Sequence, residues 1–139
     1  MLTESNDVGS IEGTLFDEDI FGYIANTGRM VQFVLLGFSR PSIGGGPLLD
    51  KKYILEFFLF ELHLSFRYAF SHIDFHFGSE NSRGSEHSLD GEYSPLEMEI
   101  VFYDGHLQNM NDVQYSQEKD SITVISFLFE VDIRISGFF

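Results

Sequence analysis

Apolar residues in this chain recur mostly at every second position, in short runs separated by turn-forming clusters. From Met30 to Gly37, Val31, Phe33 and Leu35 alternate with Gln32 and Val34, which predicts a strand. Ile73-Asp74-Phe75-His76-Phe77 alternates in the same way and stops at Gly78. Leu96 to Tyr103 sets Met98, Ile100 and Phe102 on one face and Glu97, Glu99 and Val101 on the other. Ile122 to Ile133 is β-branched and aromatic and reads as a long strand. Asn26-Thr27-Gly28 is turn chemistry, and Ser42 to Pro47, with three glycines and a proline, reads as a loop. Ser79 to Gly91 and His106 to Asp120 are polar connections, and residues 1–22 are expected to be an irregular lead-in. Short strands between turn signals, without a tandem repeat, predict a mainly β fold.

Residues 53–70 (YILEFFLFELHLSFRYAF) do not fit this scheme. Leu55, Phe58, Leu62 and Phe66 make a helical stripe, while Phe58, Phe60, Leu62 and Leu64 make a strand face, so periodicity leaves both open. The run is long enough to span a bilayer, but Glu56, Glu61, His63 and Arg67 interrupt it, and a membrane span is not expected.

Composition narrows the function classes. The 139 residues suffice for one domain, and 16 Phe and 6 Tyr can fill a core, so a disordered chain is excluded. A formal charge of −14 argues against nucleic acid and against anionic membrane surfaces. It reads first as a solubilising surface and second as a bias toward basic partners. With no cysteine there is neither a disulfide nor a thiolate metal site. Residues 1–15 are polar and acidic and show no secretory signal, and the compartment is left open.

The chemistry-bearing residues fall in an ordered series: Asn26-Thr27-Gly28, Gly45-Gly46-Pro47-Leu48, Asp74-Phe75-His76-Phe77-Gly78-Ser79, Gly84-Ser85-Glu86-His87, and Glu97-Met98-Glu99. In this order the series resembles the N-terminal half of the α-type carbonic anhydrases. The resemblance implies a partial carbonic anhydrase fold, a twisted and mostly antiparallel central sheet with short helical pieces. It puts Asp74, His76 and Glu99 at the three zinc-ligand positions, where active members have three histidines. Arg29 falls at the proton-shuttle position. Glu86 falls at the position of the glutamate that orients the active-site threonine, itself carried by the family's C-terminal half.

Such a degenerate set looks like that of the acatalytic carbonic anhydrase-related proteins. Three neutral imidazoles leave zinc its full charge, which lowers the pKa of bound water to about 7. Asp74 and Glu99 would cancel that charge, with Glu97 adding more, and Arg29 cannot relay a proton at neutral pH. The expectation is therefore no catalytic residue, no bound metal and no cofactor, zinc being the cofactor of active members. One histidine with two carboxylates suits Mn²⁺ or Fe²⁺ better than catalytic zinc. The plainer reading is a polar cluster with His76 hydrogen-bonded to a carboxylate. Glu86-His87 alone reads as an exposed turn pair, and His63, His72 and His106 show no partner pattern.

The expected function is that of a carbonic anhydrase-related protein without CO₂ hydration, acting through an unidentified protein partner, or an incomplete gene product. The alternative is a weak metal-dependent carbonic anhydrase. The resemblance suggests a secreted or cell-surface protein if the true N-terminus lies upstream. Residues 1–139 are expected to form one truncated domain. Joining Tyr53-Ile54-Leu55-Glu56 directly to His72 restores the family spacing, so residues 57–71 read as an insertion, and residues 17–25 as a weaker second surplus.

Overall fold

The computed structural model describes residues 10–37, 40–45, 48, 68–79, 83–116 and 120–131. Their regular structure is β1 (Ile11–Thr14), β2 (Phe21–Asn26), β3 (Val31–Leu36), β4 (Ser42–Gly45), β5 (Tyr68–Phe77), β6 (Ser88–Leu89), β7 (Glu92–Tyr93), β8 (Leu96–Asp104) and β9 (Ile122–Phe129), with one 3₁₀ helix at Met110–Tyr115. Among the described residues, seven strands are hydrogen-bonded in the order β1-β4-β5-β3-β2, with β8 paired to β5 and β9, and β6 pairs with β7. The mainly β, antiparallel architecture expected from the sequence is the one observed. No helix among the described residues is long and apolar enough to cross a membrane.

Strands β3 and β8 lie where the period-two patterns put them, β5 contains the expected residues 73–77, and β9 begins at Ile122 as expected but ends at Phe129, short of Ile133. Three segments differ further. The lead-in contains β1 and the start of β2, and Ser42–Gly45 is a strand instead of a loop. Backbone pairing explains β1 and β4. Ile11↔Gly45 through Thr14↔Ser42 form an antiparallel ladder, and Ser42 and Ile43 also pair with Ala69 and Tyr68 of β5. A strand paired on both sides is held by main-chain bonds and needs no apolar alternation. Gly45 has φ +77, and a Cβ there would lie 2.7 Å from the Ser10 carbonyl, so the close approach selects glycine. The third difference lies in β5, which begins at Tyr68. Tyr68 to Ser71, counted by family spacing within the 57–71 surplus, thus run continuously into His72, Asp74 and His76. Residues 57–67 lie outside the described residues. Residues 21–25 of the second surplus lie in β2.

The chain divides into two compact units. The first draws on residues 1–21, 36–71 and 102–123. Its core is aromatic: Phe70 meets Phe102 edge-on with ring centroids 6.1 Å apart, and Phe16 tilts onto Phe102 at 6.4 Å. Such edge-to-face contact adds to what burial alone contributes. Ile43, Tyr68 and Tyr103 are buried as well. The Tyr68 hydroxyl donates to the Asp120 carbonyl at 2.9 Å, so its polar end is satisfied. Main-chain bonds from Phe70 to Pro41 (2.8 Å) and from Asp104 to Ser121 (2.9 Å) tie the neighbouring segments.

The second unit draws on residues 22–35, 72–101 and 124–139. Its β2–β3 connection is closed by Asn26 Oδ1, which accepts from Gly28 N at 2.9 Å, and by Thr27 Oγ1, which accepts from Met30 N at 3.2 Å. Strand β3 lies antiparallel on β5 with Val31 opposite Phe75, Gln32 opposite Asp74 and Val34 opposite His72. Asp90 and Gly91, with φ 53 and 85, make the tight turn between β6 and β7. Gly84 is held by close approach, since a Cβ there would fall 1.7 Å from the Pro95 carbonyl.

Phe70→Ala should destabilise the fold by about 3–5 kcal/mol, because it opens a cavity at the centre of the aromatic cluster. Urea unfolding followed by tyrosine fluorescence measures the change. A loss under about 1 kcal/mol would show that the Phe70–Phe102 contact is not a core contact.

Candidate functional site

All residues of the candidate site belong to the second unit. On β5 the usual binary pattern is inverted: Asp74 and His76 are buried, while Phe77 is 61% exposed. On β8, Glu97 and Glu99 are buried, and Glu97 is completely so. Charged residues are almost never fully buried unless paired, so this inversion requires partners for them inside the fold. The three residues that the resemblance puts at ligand positions lie together: ligand atoms of Asp74, His76 and Glu99 are within 4.8 Å of one another.

Each of the three has a distinct environment. Gln32, directly opposite Asp74 across the ladder, donates from Nε2 to Asp74 Oδ1 at 2.8 Å. His72 Nε2 lies 3.2 Å from Asp74 Oδ2, so both oxygens of this carboxylate are engaged. His76 sits between two glutamates, with Nδ1 3.4 Å from Glu86 Oε1 and Nε2 3.4 Å from Glu99 Oε2. His76 Nε2 is buried without a hydrogen-bond partner. The expected carboxylate hydrogen bond to His76 is thus an approach at ion-pair distance. Glu86 is exposed, and Arg29 lies exposed in the turn between β2 and β3.

The most fully hydrogen-bonded carboxylate of the site is Glu97, which the sequence marks only as an additional charge near Glu99. Its Oε2 accepts from the backbone N–H groups of Glu86 (2.7 Å) and His87 (3.0 Å). Its Oε1 accepts from the Ser126 hydroxyl of β9 and lies 2.8 Å from His87 Nδ1. Burial opposes ionisation of Glu97, but the bonds from Ser126, the His87 and Glu86 amides and the His87 ring outweigh it and lower its pKa to about 2. His87, an exposed turn residue by sequence, also places Nδ1 3.0 Å from Glu99 Oε1. The hydrogen bond to Glu97 raises the His87 pKa above the usual histidine value against some desolvation, and the charges of Glu97 and Glu99 raise it further.

The turn that supplies these amides is itself braced. Gly84 N and Ser85 N both donate to the Ser94 carbonyl at 2.8 Å, and Ser85 Oγ donates to the His87 carbonyl at 2.7 Å. His106, unassigned from the sequence, pairs with Asp104 at 2.9 Å and lies in the other unit. His63 lies outside the described residues. The sequence signal for Glu97 and His87 was available: Glu97 shares the strand parity of Glu99, and His87 belongs to the Gly-Ser-Glu-His turn.

Glu97→Gln should cost about 2–3 kcal/mol at pH 7, since it removes a charge that four donors converge on. The acid limb carries the sign. A carboxylate held below its ordinary value stabilises the fold fully above about pH 4.5, and that contribution is lost as pH falls toward about 2. The parent chain should therefore lose stability across this window more steeply than Glu97→Gln in urea titrations at stepped pH. Parallel limbs would show that Glu97 is not held ionised by the fold.

Comparison with known proteins gives a consistent result. The family model for eukaryotic-type carbonic anhydrase matches residues 3–136. Carbonic anhydrase-like protein 1 of Caenorhabditis elegans is 33% identical over 109 residues, 76% of this chain and 25% of that protein. Carbonic anhydrase 4 of Oryctolagus cuniculus is 47% identical over 64 residues, 46% of this chain and 20% of that protein. The carbonic anhydrase-related protein of Rattus norvegicus is 31% identical over 84 residues, 60% of this chain and 23% of that protein. The matched stretch spans a quarter or less of each relative's length. With the family model covering nearly all of its residues and its fold and landmark order in agreement, the chain belongs to the eukaryotic-type carbonic anhydrase family.

Proposed function

We propose that this chain is a carbonic anhydrase-related protein that does not hydrate CO₂ and acts through contact with a protein partner. The observation that supports this most is the state of Asp74. At the first ligand position stands a carboxylate whose two oxygens are already engaged by Gln32 and His72. The family's zinc requires neutral nitrogen donors if its bound water is to ionise near pH 7. Here a single buried imidazole nitrogen, His76 Nε2, faces two carboxylates, and Glu97 and Glu86 add negative charge around it. This donor set does not fit zinc as a hydration catalyst, and no catalytic step is assigned to it. Arg29, exposed at the position that the resemblance assigns to the shuttle, is a guanidinium with donors only and offers no acceptor for a proton. A surface with a formal charge of −14 favours a basic partner.

Zinc-loaded protein should hydrate CO₂ no faster than buffer in a stopped-flow indicator assay. Acetazolamide-sensitive hydration would refute the reading in favour of a weak metal-dependent carbonic anhydrase. The double variant Asp74→His/Glu99→His should bind zinc more tightly and still show background hydration, because Arg29 and the carboxylates around the site remain. Robust hydration by that variant would show that two substitutions alone separate this chain from an active enzyme.

A further inference from the structure

Glu99 is the point where two groups of donor atoms meet. Its Oε2 faces His76 Nε2 at 3.4 Å, and its Oε1 faces His87 Nδ1 at 3.0 Å. His87 Nδ1 is also 2.8 Å from Glu97 Oε1, so two carboxylate oxygens crowd one ring nitrogen. A single N–H cannot point at both, and one of the two oxygens is left poorly served. The ligand atoms of His87, Glu97 and Glu99 lie within 4.8 Å of one another. On the far side of Glu99, His76 is nine-tenths buried, and its Nε2 has no hydrogen-bond partner although it is aimed at the Glu99 carboxylate.

We propose that His87, Glu97 and Glu99 form a binding site for an oxygen-preferring divalent cation of the Mn²⁺ type, displaced from the family's three-histidine position onto the neighbouring turn. A cation in place of the shared proton would meet one nitrogen and two oxygens, a donor set that suits Mn²⁺ better than catalytic zinc. Glu97 is oriented for this role by the two backbone amides on Oε2 and by Ser126 on Oε1, the supporting bonds that fix a ligand carboxylate. The exposed side of the site is His87, whose side chain is 62% exposed, with the Glu97 and Glu99 carboxylates behind it in the interior. The cation also addresses a charge imbalance. Asp74, Glu97 and Glu99 are three buried carboxylates, and the ion pairs seen to them among the described residues come from histidines alone. The substitution of glutamate at position 99 creates the site, since a histidine there would offer neither the second oxygen nor the charge. The proposal is independent of whether the chain hydrates CO₂.

The test uses the full 139-residue chain and Mn²⁺ alone. Free Mn²⁺ is followed by electron paramagnetic resonance during titration of the parent, His87→Gln and Asp74→Asn. The expected result is saturable binding of one equivalent, weakened at least about tenfold by His87→Gln and retained by Asp74→Asn. A second readout needs no variant: substoichiometric Mn²⁺ should broaden the ring-proton resonances of His87 before those of His72 and His106. In the titration, three outcomes overturn the proposal: no binding by the parent, binding that survives His87→Gln, or binding lost in Asp74→Asn as in His87→Gln. The last would return the cation to the family position. Broadening of His72 ahead of His87 would do the same.

Discussion

The second unit depends on one buried carboxylate. Glu97 is completely inaccessible, yet it is ionised, because the turn after β5 and strand β9 deliver four donors to it. A lone buried charge would cost far more than a small domain can spare. The N–H groups of Glu86 and His87, the Ser126 hydroxyl and the His87 ring replace the water that Glu97 lost. The same bonds fix the turn to β8 and β8 to β9. Ser85 and Gly84 extend the effect, since their bonds to Ser94 hold the turn close enough for its amides to reach Glu97.

With Glu97 fixed, the neighbouring residues on its strand face are placed as well. Glu99 lies two positions along β8 and faces His76 and His87. Asp74 and His76 come to the same place from β5, whose register is set by β3. The resemblance implies neutral imidazoles at these positions in active members. Here the face presents carboxylates, and part of their charge is answered by histidines and by Gln32. This donor set, one imidazole among carboxylates, is what the proposal of a member without CO₂ hydration rests on.

The aromatic cluster of the first unit serves a different need. Phe16, Phe70 and Phe102 build a core from three distant parts of the chain, and β4 is held by main-chain pairing on both sides, with Ile43 buried. Tyr68 and Phe70 enter this core from the first turn of alternation in β5, so the stretch that family spacing treats as surplus supplies core side chains.

Some of this was written in the sequence. Period-two alternation located β3, β8 and the second half of β5, because a half-buried strand must turn alternate side chains to opposite faces, and β-branched and aromatic content marked β9. The ordered landmarks from Asn26 to Glu99 placed Asp74, His76 and Glu99 at one site, since strand parity and motif spacing are local properties. The strands β1 and β4 were not legible, because glycine-rich and acidic segments show no alternation and become strands only when a partner backbone arrives. Nor could local sequence reveal which face of β8 is buried. Alternation put Glu97, Glu99 and Val101 on one face without saying which face is buried, and the donors gathered from the turn at residues 84–87 and from Ser126 make the interior the lower-energy place for Glu97. The same holds for His87, a turn residue by sequence, whose role is set by two carboxylates that reach it from another strand.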